Sequence, residues 1–186
     1  ADVTAKTRFG DTCIHKLMSS PQSKPSKECI SLLVSKGASL TAQNKVGDTP
    51  LIKAVRQGNL QGVIVLCDIA KSNTSSDADC LALLDTRNKK GYSPVHEAAI
   101  WGHLDILKHL LDNGFDVNCT DADQNRPLHL ADNRKLNPRQ PMAARLACVR
   151  VLLEKGADVN AVNILGNTAL HCVEGTVEVA HEVMKQ

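Results

Sequence analysis

The stretch from Asn88 to Asn118, NKKGYSPVHEAAIWGHLDILKHLLDNGFDVN, recurs in altered form on both sides of itself. This repetition constrains the fold more than any other feature of the chain. A glycine, a Ser-Pro step, a pair of alanines and a row of leucines follow one another in a fixed order. Two short helices cannot bury such a row of leucines alone, so the unit needs copies of itself stacked alongside.

Each unit is predicted to hold two helices joined by a tight turn. Ser93 before Pro94 is typical of a helix N-cap followed by proline in the first turn, so we expect a short helix from Pro94 to about Trp101. A second helix is expected from about Leu104 to Asn113, ending before Gly114. Its apolar face is formed by Leu104, Leu107, Leu110 and Leu111, which follow one another at helical spacing.

The order of these residues resembles the ankyrin repeat. The matching positions are Gly91, Ser93-Pro94-Val95-His96, Ala98-Ala99, Gly102-His103, Leu110-Leu111, Gly114, Asp116 and Asn118. The resemblance implies an all-α solenoid of stacked helix-turn-helix units with β-hairpin-like turns. It also implies a surface, made from the turn tips and the first helices, on which other proteins bind.

Copies of the unit cover essentially the whole chain. We divide residues 1–186 into a single array with approximate units 8–44, 45–88, 89–120, 121–163 and 164–186. Because residues 1–5 line up with residues 157–161, we expect the chain to be a piece of a longer array. Three insertions interrupt the period and are predicted to be surface segments: 19–26, 71–79 and 134–141. Gln124 stands where the other turns have glycine.

Composition excludes several classes of function. A formal charge of +2 and the lack of an Arg-rich or aromatic-interleaved patch argue against nucleic acid as a partner. No apolar run reaches about 18 residues, so we expect no membrane insertion. The seven cysteines form no C-x-x-C pair and are interpreted as reduced core thiols of an intracellular protein, in the cytoplasm or the nucleus. Zinc binding is the weaker alternative.

No group of residues predicts catalysis, so we expect neither an enzyme nor a cofactor. Four histidines recur at one repeat position, which could suggest acid-base chemistry or a metal site. Recurrence argues against both, because catalysis needs one assembled site whereas a scaffold repeats the same bond. We therefore interpret His15, His96, His129 and His171 as structural hydrogen-bonding residues.

The resemblance places partner contacts beside the turn glycine and at the end of the first helix. The residues expected to bind a partner are Arg8, Phe9, Lys45, Asp48, Arg56, Gln57, Lys89, Lys90, Tyr92, Ile100, Trp101, Asp123 and Asn125. Asp11, Val46, Ala122, Asn133, Ile164, Leu165 and Asn167 occupy matching positions. Trp101 is the best candidate, because aromatic anchors surrounded by charge are typical of interface hot spots. The alternative is that Trp101 packs on a neighbouring helix and that Lys89 and Lys90 form a solvated turn.

The basic residues at these positions predict the chemistry of the partner. Arg8, Lys45, Arg56, Lys89 and Lys90 make one end of the contact surface positive, so we expect a protein or peptide that combines acidic and apolar residues. The predicted function is protein-protein recognition or scaffolding within a larger signalling or regulatory protein. Two alternatives remain: a regulatory segment of an enzyme such as a ubiquitin ligase or kinase, and a structural spacer.

Overall fold

The computed structural model describes residues 2–133, 135–138, 140–173 and 177–184. This part of the chain is helical and contains no β-strand, which confirms the predicted all-α class. None of its helices combines the length and the apolar composition needed to cross a membrane. Contacts group the chain into two compact units, Ala1–Lys89 and Lys90–Gln186, which we call unit 1 and unit 2.

Unit 1 contains five helices that are arranged around an aliphatic core. The helices are α1 (Cys13–Leu17), α2 (Lys27–Ser35), α3 (Pro50–Arg56), α4 (Leu60–Asn73) and α5 (Asp77–Leu84). The insertion 19–26 lies between α1 and α2, as expected. Asn59 begins α4 by accepting a hydrogen bond from the Gly62 N–H at 2.8 Å. A Cβ atom at Gly62 would lie 2.6 Å from Met18 Sδ, so a larger residue here would force the buried Met18 side chain to shift.

Helix α5 corrects the prediction of a surface loop over 71–79. The loop is confined to residues 74–76, because α4 continues to Asn73 and α5 begins at Asp77. The Ser76 side chain accepts a hydrogen bond from the Asp79 N–H at 3.1 Å and so caps the new helix. Cys80 and Leu84 are buried, and this burial stabilises α5. The polar residues around Ser76 had favoured a loop in the prediction from sequence.

Unit 2 repeats the helical pairs of the third, fourth and fifth copies. Its elements are α6 (Pro94–Trp101), α7 (Leu104–Asp112), α8 (Pro127–Leu130), α9 (Met142–Glu154), a 3-10 helix (Ala169–Cys172) and α10 (Val177–Met184). The first pair confirms the predicted helices of the central copy. Leu107 and Leu110 of α7 are fully buried, and Leu111 is nearly so.

The segment between α8 and α9 contains the insertion 134–141, in which Arg134 and Arg139 lie outside the described residues. A buried ion pair fixes the chain on either side of it. Arg145 Nη1 of α9 lies 3.2 Å from Asp132 Oδ1, which directly follows α8. Buried charges are tolerated when they are paired, so this contact ties the start of α9 to the first helix of its own copy.

Candidate partner-binding surfaces

A five-residue turn precedes the first helix of each copy. The turns occupy residues 7–11, 44–48, 88–92, 121–125 and 163–167, and we number them one to five. In turn two, Asn44 Oδ1 accepts hydrogen bonds from the N–H groups of Val46 and Asp48, both at 3.0 Å. The fourth residue of every turn has a positive φ, which glycine adopts easily, and Gln124 adopts it with φ 61°. Gln124 therefore keeps the turn conformation that glycine has in the other copies.

Hydrogen bonds between neighbouring turns hold the tips in a row within each unit. In unit 1 the Lys45 N–H donates to Phe9 O at 3.0 Å, and the Lys89 N–H donates to Val46 O at 3.2 Å. The Asn44 side-chain amide also donates to Asp11 Oδ1 at 2.8 Å. The tips are thus fixed by the backbone, and their side chains project from a regular frame.

Three of the recurrent histidines, His15, His96 and His129, link their own turn to the next one, which confirms the structural role predicted for them. His15 Nδ1 accepts the Thr12 N–H at 3.2 Å, and its Nε2 lies 2.9 Å from Asp48 O. An N–H can only donate and a carbonyl can only accept, so the proton is on Nε2 and the ring is neutral. His96 and His129 make the same links to Asn125 O and Asn167 O.

The tips of unit 1 expose basic and apolar side chains side by side. Phe9 is 59% exposed and Val46 is 55% exposed. Arg8 precedes Phe9 and its guanidinium lies 4.6 Å from the centre of the Phe9 ring, while Lys45 precedes Val46. Lys89 occupies the equivalent place in turn three and is also exposed. We call these five residues the unit 1 tip surface.

Two predicted contact residues of unit 1 are engaged with each other instead. Asp48 is only 1% exposed and forms a two-pronged ion pair with Arg56, with Nη1–Oδ2 and Nη2–Oδ1 distances of 2.5 and 3.1 Å. Asp11 is likewise buried, and its Oδ2 lies 3.6 Å from Lys53 Nζ. The acidic side chains Asp11 and Asp48 are therefore buried, whereas the basic side chains at the turn tips are exposed. Gln57 is half-buried at the end of α3.

In unit 2 the predicted aromatic contacts are only partly accessible. Trp101 is 36% exposed, and its Nε1 donates to Glu97 Oε2 at 2.9 Å. Ile100 is buried, so it belongs to the core and not to a contact surface. Tyr92 is half-buried beneath Lys90, whose Nζ lies 5.9 Å from the ring centre. Burial, and then the charge of Asp121, raise the pKa of the Tyr92 hydroxyl.

A cavity of about 450 Å³ lies between turns four and five of unit 2. Asp123 and Asn125 line it together with Ile164 and Leu165, which occupy the matching contact positions of the last copy. Ile164 is 62% exposed and Leu165 is 78% exposed. The sequence indicates an apolar contact surface at this tip, because two consecutive large apolar residues stand where the other copies have at least one charged residue.

Two of the buried thiols, Cys67 and Cys148, lie in surroundings that disfavour the thiolate. Burial raises the pKa of Cys67 and of Cys148 to about 12, so neither forms the thiolate that nucleophilic or metal-binding chemistry requires. Among the described residues, no three His, Cys, Asp or Glu side chains cluster closely enough to hold a metal ion.

Comparison with known families gives two matches that together span most of the chain. A model described as ankyrin repeats in three copies matches residues 69–163. A model described as ankyrin repeats in many copies matches residues 14–66.

Several curated proteins contain a segment that is similar to this chain. The mouse (Mus musculus) B-cell lymphoma 3 protein homolog is 31% identical over 80% of this chain and 30% of its own length. Human (Homo sapiens) ankyrin repeat domain-containing protein 53 is 39% identical over 44% of this chain and 15% of its own. A probable serine/threonine-protein kinase of Dictyostelium discoideum is 31% identical over 71% of this chain and 14% of its own. The chain thus spans less than a third of each relative.

Proposed function

Because the chain belongs to the ankyrin repeat family, whose repeats form protein-protein interaction modules, we propose that it binds a partner protein through the unit 1 tip surface. The partner segment carries acidic and apolar side chains. One observation carries the proposal: Phe9 and Val46 are exposed between Arg8, Lys45 and Lys89, while the neighbouring acids are buried.

The chemistry of the tips determines what they can recognise. The frame of turn-to-turn hydrogen bonds keeps the tips in place before a partner arrives, so little ordering entropy is lost on binding. Exposed lysine and arginine raise the association rate of an acidic segment and select it against basic ones. A partner that covers Phe9 and Val46 removes their apolar surface from water, and this favours binding.

Unit 2 supplies a second set of candidate contacts for the same activity. Trp101 and Tyr92 offer aromatic surface, and the cavity between turns four and five is lined by Ile164 and Leu165. We propose that the chain is the recognition part of a larger protein in the cytoplasm or nucleus. The similarity to a probable kinase supports, as a second candidate, a regulatory segment beside an enzymatic domain.

The proposal is tested by selecting peptides from a random library on the whole chain. We expect selected peptides to be rich in Asp or Glu next to Leu, Ile or Phe. Lys45→Glu should weaken their binding about tenfold at low salt, because a like charge then faces the acidic segment. The matched control is Lys27→Glu, a charge reversal on an exposed lysine of α2. If both variants lose the same amount of peptide affinity, the effect comes from the net charge of the chain and the proposal is contradicted.

A further inference from the structure

The second residue of each of the first three turns is basic. Arg8, Lys45 and Lys89 hold this place in turns one, two and three, and all three side chains are exposed. None of them forms an ion pair with a residue that the structure describes, whereas Lys53 and Arg56, which are half-buried, are paired with buried acids. Each of the three tips therefore presents one positive charge that no described acidic side chain pairs.

The exposure of these tips is a property of the position in the turn. Val46 of turn two is 55% exposed although hydrogen bonds through the Lys45 N–H and the Lys89 N–H join its turn to turns one and three. The backbone of turn two makes the contacts with its neighbours, and its tip side chains project away from them. Lys45 is exposed in the same way, so a turn on either side of a tip leaves these side chains accessible to a partner.

The hydrogen bonds between turns determine the spacing of the charges. Phe9 O accepts the Lys45 N–H, so the path from Arg8 to Lys45 consists of one peptide step and one hydrogen-bonded step. Val46 O accepts the Lys89 N–H, so the path from Lys45 to Lys89 is the same. A peptide step spans about 3.8 Å between Cα atoms, and a hydrogen-bonded pair spans about 5.5 Å. Together these two steps place equivalent residues about 9 Å apart along the row.

This spacing discriminates between the conformations that a bound segment can adopt. A polyproline II helix presents the same face at every third residue, after a rise of about 9.3 Å. A β-strand presents the same face at every second residue, after about 6.8 Å, and an α-helix at every seventh residue, after about 10.5 Å. Across three tips the β-strand is out of register by about 5 Å and the α-helix by about 2 Å. The polyproline II helix stays in register.

We propose that the segment bound by the unit 1 tip surface is a polyproline II helix with an acidic residue at every third position. This inference rests on the proposed function and adds the conformation and the spacing of the partner segment. The acidic face lies along Arg8, Lys45 and Lys89, and an adjacent face carries apolar residues that cover Phe9 and Val46. Proline at the remaining positions keeps the segment extended, so less ordering entropy is lost on binding.

Two peptides with the same numbers of glutamate, leucine and proline residues test the spacing on the whole chain. The first repeats Glu-Leu-Pro three times. The second repeats Glu-Leu-Pro-Ala three times, so its acids stand about 12 Å apart in a polyproline II helix. Fluorescence anisotropy of dye-labelled peptides at low salt gives the dissociation constants. The first peptide should bind about tenfold more tightly, because the three acids of the second cannot all face the tip cations at once.

A double-mutant cycle tests whether the central acid of the first peptide faces Lys45. Lys45→Gln in the chain and Glu→Gln at the central acid should each weaken binding about two- to fivefold, and the two together should weaken it no more than either alone. Lys27→Gln, on the exposed lysine of α2, is the matched control and should change the affinity by less than about twofold. Losses from Lys45→Gln and the peptide change that multiply would overturn the proposed register.

The conformation of the peptide is tested by replacing its prolines with glycine, which keeps the charges and their order. The affinity should fall about two- to fivefold for each proline replaced. If the glycine peptide or the Glu-Leu-Pro-Ala peptide binds as tightly as the first, the inference is overturned while recognition of acidic segments by the tips stands. An α-helical peptide with three acids seven residues apart that binds more tightly than the first has the same consequence. If no acidic peptide binds, or if Lys45→Gln and Lys27→Gln weaken binding equally, the proposed function is overturned as well.

Discussion

At the scale of single residues, the buried histidines make the stability of the fold depend on pH. Burial is the largest influence on His15 and His129 and lowers the pKa of both below the ordinary value of 6.5. The unfolded chain therefore binds more protons than the folded chain just below that pH. The contribution of these two neutral histidines to the free energy of unfolding should be fully present above pH 6.5. It should be lost as the pH falls from 6.5 through the pKa values of the folded state.

This dependence can be measured by urea denaturation at a series of pH values. His129→Gln replaces the ring with an amide that can still donate to Asn167 O but cannot titrate. The variant should lose part of the slope of unfolding free energy against pH between neutral pH and mild acid. An unchanged slope would show that His129 does not contribute to acid sensitivity.

Two glycines separate the effect of backbone conformation from that of close approach. Gly47 and Gly166 both have positive φ, 84° and 76°. A Cβ at Gly47 would lie 2.5 Å from Lys89 N, whereas a Cβ at Gly166 would meet nothing within 4 Å. Gly166→Ala should cost about 1–2 kcal/mol of unfolding free energy for the left-handed conformation alone.

Gly47→Ala should cost more, because the added methyl group displaces the Lys89 N–H from Val46 O and loses a hydrogen bond worth about 0.5–1.5 kcal/mol. Chemical denaturation of the two variants under the same conditions gives the comparison. Equal losses would mean that the turns of unit 1 tolerate the extra atom by a small shift.

At the scale of elements, α5 shows where prediction from sequence failed. The run KSNTSSDAD has the composition of a loop, and only the burial of Cys80 and Leu84 reveals the helix that follows it. That burial depends on α4, which packs against α5. A local sequence pattern does not indicate which other helix will pack against a segment. The helices of the central copy were predicted correctly because Ser93, Pro94 and the leucine spacing are local signals.

The cap of α5 provides a direct test of this helix. Ser76→Ala removes the acceptor of the Asp79 N–H and should destabilise the chain by about 1 kcal/mol. The adjacent Ser75 is exposed and supplies the control, since Ser75→Ala should change stability by less than about 0.5 kcal/mol. Equal effects from the two serines would argue against the cap.

At the scale of the whole molecule, repetition made the fold predictable and the contact surface less so. A family position specifies where a backbone atom lies, but it does not specify whether the side chain turns outward. Asp48 and Arg56 occupy contact positions, yet they pair with each other, because the Asp48 carboxylate is buried and a buried charge needs a charged partner. Ile100 also occupies a contact position, but it is buried because its apolar side chain is more stable in the core than in water.

The candidate contact surfaces proposed for the two units differ in chemistry, which salt can distinguish. Binding that depends on Lys45 of unit 1 should weaken as ionic strength rises, since exposed charges are screened over about 8–10 Å. Binding that depends on Trp101 of unit 2 should persist in salt, because it comes from aromatic surface covered by the partner. Trp101 is the only tryptophan, so its fluorescence reports on unit 2 alone.

A selected acidic peptide titrated into the chain should therefore change Trp101 emission only if it reaches unit 2. In that case Trp101→Ala should weaken binding by about 2 kcal/mol or more, at low and at high salt alike, with the helical circular dichroism signal unchanged. Trp101→Phe, which keeps an aromatic ring but not the N–H that donates to Glu97, should lose less. If emission and affinity are both insensitive to these changes, recognition is confined to the tips of unit 1.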